Sequence, residues 1–374
     1  MTPDAPQHMK VLILYGGRSG EHEVSCLSAA SVLRHLNPRR YTPLLCGITR
    51  EGHWFLQEDS RVQAVLQGAD LQVHPGAEVS IVPAKGFQAG GALLDLDMVF
   101  PVLHGTFGED GTVQGLFEMT GVPYVGSGVL GSSLGMDKEK AKQVWQYEGI
   151  PVVPFRSFVP EDHQEARGDI PGKTLRRLWQ EWTAALQVPL FVKPARAGSS
   201  VGITKVHSFQ ELAPAMKTAL SFDSKVLIEK AVTAKEIECS VVGNLAPRAF
   251  IPGEVEPHHE FYDYEAKYID PDGAALIIPA RIPEKDQHRI MELAVRAYRA
   301  CEARGLARVD FFFHEDRGEL YLNEINTMPG FTHISMFSKM CEAGGLEYSA
   351  VLDELIALGL QEFTRRNTLQ YTRA

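Results

Sequence analysis

Asp310, Glu324 and Asn326 are three oxygen-bearing side chains set in an otherwise apolar stretch, RVDFFFHEDRGELYLNEINTMPGFTHISM, over residues 308–336. Hydrophobic alternation at 309–313 and 320–326 predicts two neighbouring strands, with the polar break 315–318 as their turn. Glu324 and Asn326, two apart, then project from one face of their strand, and Asp310 on the partner strand meets them. A surface hairpin with solvated acids is the alternative. Strands this apolar are expected to be largely buried, however, and a buried carboxylate needs a cation or donors to offset desolvation. Hard oxygen ligands of this kind suit magnesium, which keeps water and substrate phosphate as its remaining ligands.

Cationic and glycine-rich segments upstream fit the phosphate half of such a site. Lys138 falls in the first turn of a helix predicted over 137–148, against the helix dipole; either an anionic ligand lies close by or the lysine is solvated. Lys193 ends a strand over 189–193 that runs into PARAGSSVG and returns along 203–206. The small residues of that hairpin let amides and hydroxyls wrap a polyphosphate, although the order is not that of a GxxxxGK[ST] loop. Strands at 225–230 and 236–243 are joined by a short link flanked by Glu229 and Glu236. Such a crossing suits an adenosine, or the two acids lie on solvated edges. The long loop 258–280 carries FYDYEAKY, in which Lys267 and Tyr268 could close on a transferring phosphate and exclude water.

The elements that must position these residues begin with a strand at 10–15, ending in Gly16-Gly17 ahead of a helix at about 24–36. A helix N-terminus behind glycines leaves amides free for a ligand, and Glu21 there is either a cap or a partner for a substrate ammonium. A buried strand at 98–103 delivers His104 and the loop TFGEDG at its carboxyl end, where ligands gather in open α/β sheets. His104 is a site residue or a turn histidine. A strand at 41–48 precedes a Gly-, Gln- and Pro-rich excursion, 51–92, that periodicity leaves unassigned. GSGVLGSSLG at 126–135 reads as the first domain boundary, and amphipathic helices are predicted at 284–304 and 347–365.

Composition narrows the function. A chain of 374 residues is long enough for two or three domains. A net charge of −10 gives no broad basic field for nucleic acid, so a phosphate ligand must be held by local lysines and amides. No apolar run approaches membrane-spanning length and the opening MTPDAPQHMK has no signal-peptide core, which predicts a cytoplasmic protein with no membrane partner. The five cysteines are widely spaced without a CxxC pair, so reduced, mostly buried thiols are expected.

In combination, GGRSGEHEVS, HGTFGEDG, GMDK, VKPARAGSSVG, FYDYEAKY, RVDFFF and NEINTMPGFTHIS resemble, in order and spacing, the blocks of the D-alanine–D-alanine ligase family of the ATP-grasp superfamily. The resemblance spans nearly the whole chain, and is weaker after Glu51. It implies an α/β fold, α+β in its ATP-grasp part, with three domains: an open parallel-sheet substrate domain at 1–127, a central domain with the phosphate flap at 128–232, and a domain with metal site and lid at 233–374. It also implies that Lys138, Lys193, Ser199 and Ser200 meet the ATP phosphates, and that Glu229, Lys230, Val232 and Glu236 hold the adenosine. Asp310, Glu324 and Asn326 match ligands for two Mg2+ or Mn2+ ions. Glu21 matches the carboxylate that receives the first D-alanine, tied to Ser199 and Tyr268, with His104 close by. Arg308 and the Gly330 amide match oxyanion donors, Ser335 and Met336 the second D-alanine pocket, and Lys267 a contact to the phosphoryl group. A homodimer is the family expectation. Tyr268 resembles the residue of dipeptide-forming members. Tyr268→Phe is therefore expected to admit D-lactate as second substrate, checked by mass spectrometry of the ester; no ester at any pH rules the idea out.

Overall fold

The protein is described by a computed structural model that covers residues 8–161, 167–257, 274–332 and 334–372. Apart from Lys10, strand β1 (Met9–Gly16) is apolar because both its faces are covered. Val11, Ile13 and Tyr15 enter one core, and Leu12 and Leu14 the other. It pairs in parallel with β2 (Tyr41–Ile48) and β7 (Met98–Pro101), and α1 (His22–His35) follows it.

The excursion left unassigned in the sequence supplies β3 (Trp54–Leu56), α2 (Asp59–Leu66), β4 (Ala77–Val82), β5 (Gly86–Ala89) and β6 (Ala92–Leu93). These extend the sheet to seven strands in the order β6-β5-β4-β3-β2-β1-β7. The sheet is parallel across β2-β1-β7, as expected of an open parallel-sheet domain, and antiparallel beyond, through the excursion. Links as short as that between β4 and β5 can only turn the chain back on itself; a parallel neighbour needs a crossover of a dozen or more residues.

Helix α3 (Thr112–Thr120) leads to α4 (Val129–Met136) and α5 (Lys138–Tyr147). The Gly/Ser run read as a boundary is therefore largely helix. Its small residues serve close packing: a Cβ on Gly131 would lie 2.8 Å from the Glu302 carbonyl oxygen. Strands β8 (Phe155–Phe158), β9 (Leu190–Pro194), β10 (Thr204–Val206) and β11 (Val226–Lys230) form a second, antiparallel sheet in the order β10-β9-β11-β8. It is backed by α6 (Gly172–Leu186) and α7 (Phe209–Leu220) through a core that includes Trp182, Leu190 and Met216.

The third sheet is built from β12 (Lys235–Val242), β13 (Arg248–Ala249), β14 (Gly253–Pro257), β15 (Ala274–Ile277), β16 (Leu306–His314) and β17 (Glu319–Asn326). Its order is β15-β14-β12-β16-β17, with β13 against β12. Helix α8 (Glu284–Ala300) covers one face, and Ala141 and Trp145 of α5 join the same core together with Ile150 and Val152. Packing thus groups these residues with the last sheet, although they fall within the expected central domain, 128–232. Helices α9 (Met336–Ala343) and α10 (Tyr348–Asn367) return to the first sheet, where Val351, Leu352 and Leu355 share a core with Val11 and Ile13.

One irregularity decides the site. Asp310 pairs with Glu324 but Phe311 pairs with Leu322, so Asn323 is an extra residue bulged out of β17. Strict alternation would put Glu324 and Asn326 on the face of Leu320 and Leu322, inside the core. The bulge lets Leu320, Leu322 and Ile325 all enter that core while Glu324 lines the opposite, open side with Asp310. Among the described residues no helix is long and apolar enough to cross a membrane. Truncating Trp182, which is 2% exposed, is expected to cost about 3–5 kcal/mol. A lowered urea midpoint for Trp182→Ala checks this.

Candidate active site

A cleft between the three sheets has two connected compartments. Lys138, Gly198, Ser199 and Glu324 line both. In the smaller, Glu21 occupies the N-cap of α1, yet its side chain makes no capping bond. The buried carboxylate instead accepts a short hydrogen bond from the Ser199 hydroxyl, 178 residues away. Gly105 (φ +72°) closes against it so tightly that any Cβ there would strike a Glu21 oxygen. This is a position where only glycine serves.

His104 is buried, and its Nδ1 donates to the Met328 carbonyl at 2.9 Å while Nε2 faces the Ser28 hydroxyl at 3.1 Å. A carbonyl only accepts, so Nδ1 carries the proton. Burial holds the imidazole below its ordinary pKa, against the pull of the Glu21 charge. Glu109 does a similar joining job. Its two oxygens accept the amides of Gly105 and Met328, both at 2.9 Å, and so tie the first sheet's loop to the segment carrying Gly330. Burial and then the Glu21 charge push its carboxyl up to about 8.

The larger compartment is lined by Lys193, Ser200, Glu229, Lys230, Val232 and Glu236, all named from the sequence. Lys138 starts α5, whose N-cap Asp137 accepts the Lys140 amide. Lys225 grips Asp137 (2.6 and 2.7 Å) and Glu139 (2.7 Å), which pins that helix end to the second sheet. The Lys138 ammonium reaches Glu324 at 3.0 Å and the Ala197 carbonyl at 2.8 Å. Burial would lower its pKa, but Glu324, with Glu229 and Glu109 behind it, outweighs that and raises it.

Glu229 was left open between adenosine contact and solvated edge. It is 3% exposed and clasped by Lys142 at 2.9 Å and Lys193 at 2.5 Å. Burial raises its pKa, but the two ammonium groups outweigh it and the net shift is downward. Ser199 and Ser200 both hold left-handed backbone (φ +50° and +58°), a strained conformation of the kind found where a loop clamps a ligand.

Asp310, Glu324 and Asn326 come together as expected, with cations around them. Arg308 forms a fork on Asp310 (Nε–Oδ1 2.8 Å, Nη2–Oδ2 2.6 Å), and the Asn326 amide donates to Oδ2 at 2.9 Å. Among the described residues no cluster of three or more His, Cys, Asp or Glu gathers for a metal. The candidate set is two carboxylates and one amide oxygen. It fits a hard divalent ion that draws its other ligands from phosphate and water, and both carboxylates already need positive charge at their depth.

Gly330 lines the smaller compartment with Arg308. Ser335 accepts the Thr332 amide at 3.0 Å, and its hydroxyl would lie 2.9 Å from a Cβ on Gly330. Met336 is buried in the core shared with the first sheet, so what it can offer a ligand is its backbone. Lys267 and Tyr268 lie outside the described residues. Sequence reading missed Glu109, Lys142, Glu238 and the bulged Asn323. Lys142 had a signal, since it stands four residues after Lys138 on one helix face; Glu238, two residues after Glu236, had another.

One lysine and a glycine-rich hairpin on an antiparallel sheet, a second lysine at the helix start pinned to that sheet, and carboxylates facing them from another sheet across a cleft define an ATP-grasp protein. The chain belongs to the D-alanine–D-alanine ligase family: the family model for the D-ala D-ala ligase N-terminus matches residues 10–127 and that for the C-terminus residues 144–357. A D-alanine–D-alanine ligase of Treponema denticola is 44% identical, covering 98% of this chain and all of its own. The solved D-alanine–D-alanine ligase of Coxiella burnetii superposes with a TM-score of 0.81 at 33% identity, over 97% of each chain. The VanG D-Ala:D-Ser ligase of Enterococcus faecalis gives 0.80 at 36%, over 94% of this chain and all of that one.

Replacing Glu229 by Gln leaves Lys142 and Lys193 buried without their counter-charge. A loss of about 3–5 kcal/mol is expected from denaturant titration, far above that for Glu236→Gln. Because the Glu229 pKa is depressed, its contribution is complete above the unfolded value near 4.3 and fades as pH falls through the lower folded value. The gap between wild type and variant should narrow accordingly in acid.

Proposed function

We propose that this protein is an ATP-dependent ligase joining two D-alanine molecules into D-alanyl-D-alanine, with release of ADP and phosphate, for peptidoglycan precursor synthesis. The observation that carries the reading is the shared wall of the cleft. The Glu21 carboxylate, suited to a substrate ammonium, stands one serine away from a compartment of phosphate-facing lysines.

In this reading Lys138, Lys193, Ser199 and Ser200 neutralise and orient the ATP phosphates. Glu229, Lys230, Val232 and Glu236 frame the adenosine, with apolar walls from Val153, Phe191 and Phe312. Asp310, Glu324 and Asn326 hold two divalent ions, Mg2+ or Mn2+, whose chemistry is to neutralise phosphoryl charge. Glu21 fixes the first D-alanine by its ammonium, so that its carboxylate oxygen attacks the γ-phosphorus and ADP leaves. Positioning and charge neutralisation supply most of that rate. The resulting acyl phosphate must be kept from water, a task assigned to the lid residues Lys267 and Tyr268. The second D-alanine, held near Ser335 and Met336, attacks the carbonyl through its neutral amine. Arg308 and the Gly330 amide stabilise the oxyanion, and the bond from carbonyl carbon to phosphate oxygen breaks. We place the enzyme in the cytoplasm, where ATP is available, as a homodimer in keeping with its family.

Phosphate release from ATP and Mg2+ is expected with D-alanine and not with L-alanine, alongside D-alanyl-D-alanine in the product spectrum. An arm with D-serine separates the two second-substrate classes seen among the structural relatives. Arg308→Ala is expected to lower kcat about 10²–10³-fold. Phosphate release indifferent to D-alanine would overturn the reading.

A further inference from the structure

Arg308 is shared between two carboxylates. Besides its fork on Asp310, its Nε lies 3.2 Å from Oε2 of Glu238. The β12–β16 register sets Glu238 opposite Asp310 and Ser240 opposite Arg308, so the guanidinium is flanked by one acid from its own strand and one from the next. Glu238 is 8% exposed and lines the larger compartment with Asp310 and Glu324. At that depth a carboxylate is stable only beside positive charge.

Asp310 is asked to do two things. Both its oxygens are engaged by Arg308, and one also by Asn326. An oxygen that turns to a divalent ion at about 2.1 Å cannot keep an unweakened charge-assisted bond to a guanidinium, which that ion repels. Arg308 then needs a second anchor, and Glu238 supplies one at its Nε.

We propose that Glu238 is a positioning residue for Arg308, holding the guanidinium at the oxyanion position while Asp310 serves the divalent ion. This rests on the ligase reading above. The role is confined to the second step, because phosphoryl transfer depends on the lysines and the ions, whereas attack of the amine on the acyl phosphate depends on Arg308.

The test is Glu238→Gln in the full chain, with ADP and dipeptide counted in the same reaction. Wild type is expected to give equal amounts. The variant is expected to form dipeptide about 10–100-fold more slowly, with ADP in excess of dipeptide as stranded D-alanyl phosphate hydrolyses. Hydroxylamine should trap the difference as D-alanyl hydroxamate. Glu238→Asp, which keeps the charge, is expected to recover part of the coupling. The rise in Tm given by Mg2+ with ADP should match wild type, since none of the side chains assigned to nucleotide or ion is replaced. Equal ADP and dipeptide in both variants would overturn the proposal. So would loss of the Mg2+–ADP stabilisation, which would make Glu238 an ion ligand. Wild type without D-alanine-dependent ADP would sink the ligase reading itself, and this one with it.

Discussion

Buried charge is the constraint on which the rest of this structure depends. Glu229, Asp310, Glu324, Lys138, Lys142 and Lys193 all sit at or near the inner wall of one cleft, and each is tolerable there only because an opposite charge lies within about 3 Å. Ion pairs of this kind add little net stability over an apolar core of the same volume. Their presence makes sense as a charge pattern poised for a phosphate ligand: lysines and carboxylates now neutralise one another, and a polyphosphate with its cations can exchange partners with both sets.

That pattern explains the division of labour among the sheets. The second sheet carries Lys193 with its partner Glu229 and pins the start of α5; the third carries Asp310 and Glu324, with Arg308 beside them, on β16 and β17. The first sheet adds Glu21 and the loop holding His104 and Glu109. These loops are tied to the third sheet's final segment by bonds from buried polar groups to backbone, at Met328 and Phe331. Such bonds are specific in geometry, because an unmade one leaves a buried donor or acceptor unsatisfied. The first and third sheets, which share one core, are thereby held in register where their loops meet.

Much of this was legible in the amino-acid sequence. The apolar runs of β1, β7 and β9, the amphipathic α8 and α10, and the glycine-rich hairpin were readable because local periodicity and turn chemistry set them. The meander from β3 to β6 was not. Its strands are short and, β5 apart, at least partly exposed, so they bear no strong period; β3 forms on the free edge of β2 and each later strand on the one before it.

The site divides the same way. Residue type and spacing pointed to Asp310, Glu324 and Asn326 as oxygen ligands and to Lys193 as a phosphate partner, because few other uses suit such groups among apolar neighbours, and left Lys138 open between an anionic ligand and solvent. Only the tertiary structure decided which face they share. The bulge at Asn323 reverses the parity of β17, and a one-residue shift in pairing leaves no mark on hydrophobicity. The clasp of Lys142 and Lys193 on Glu229 and the flanking of Arg308 by Glu238 belong to that same class of fact. They join residues on different elements through short-range, directional contacts, and a linear pattern carries no record of which strand will become whose neighbour.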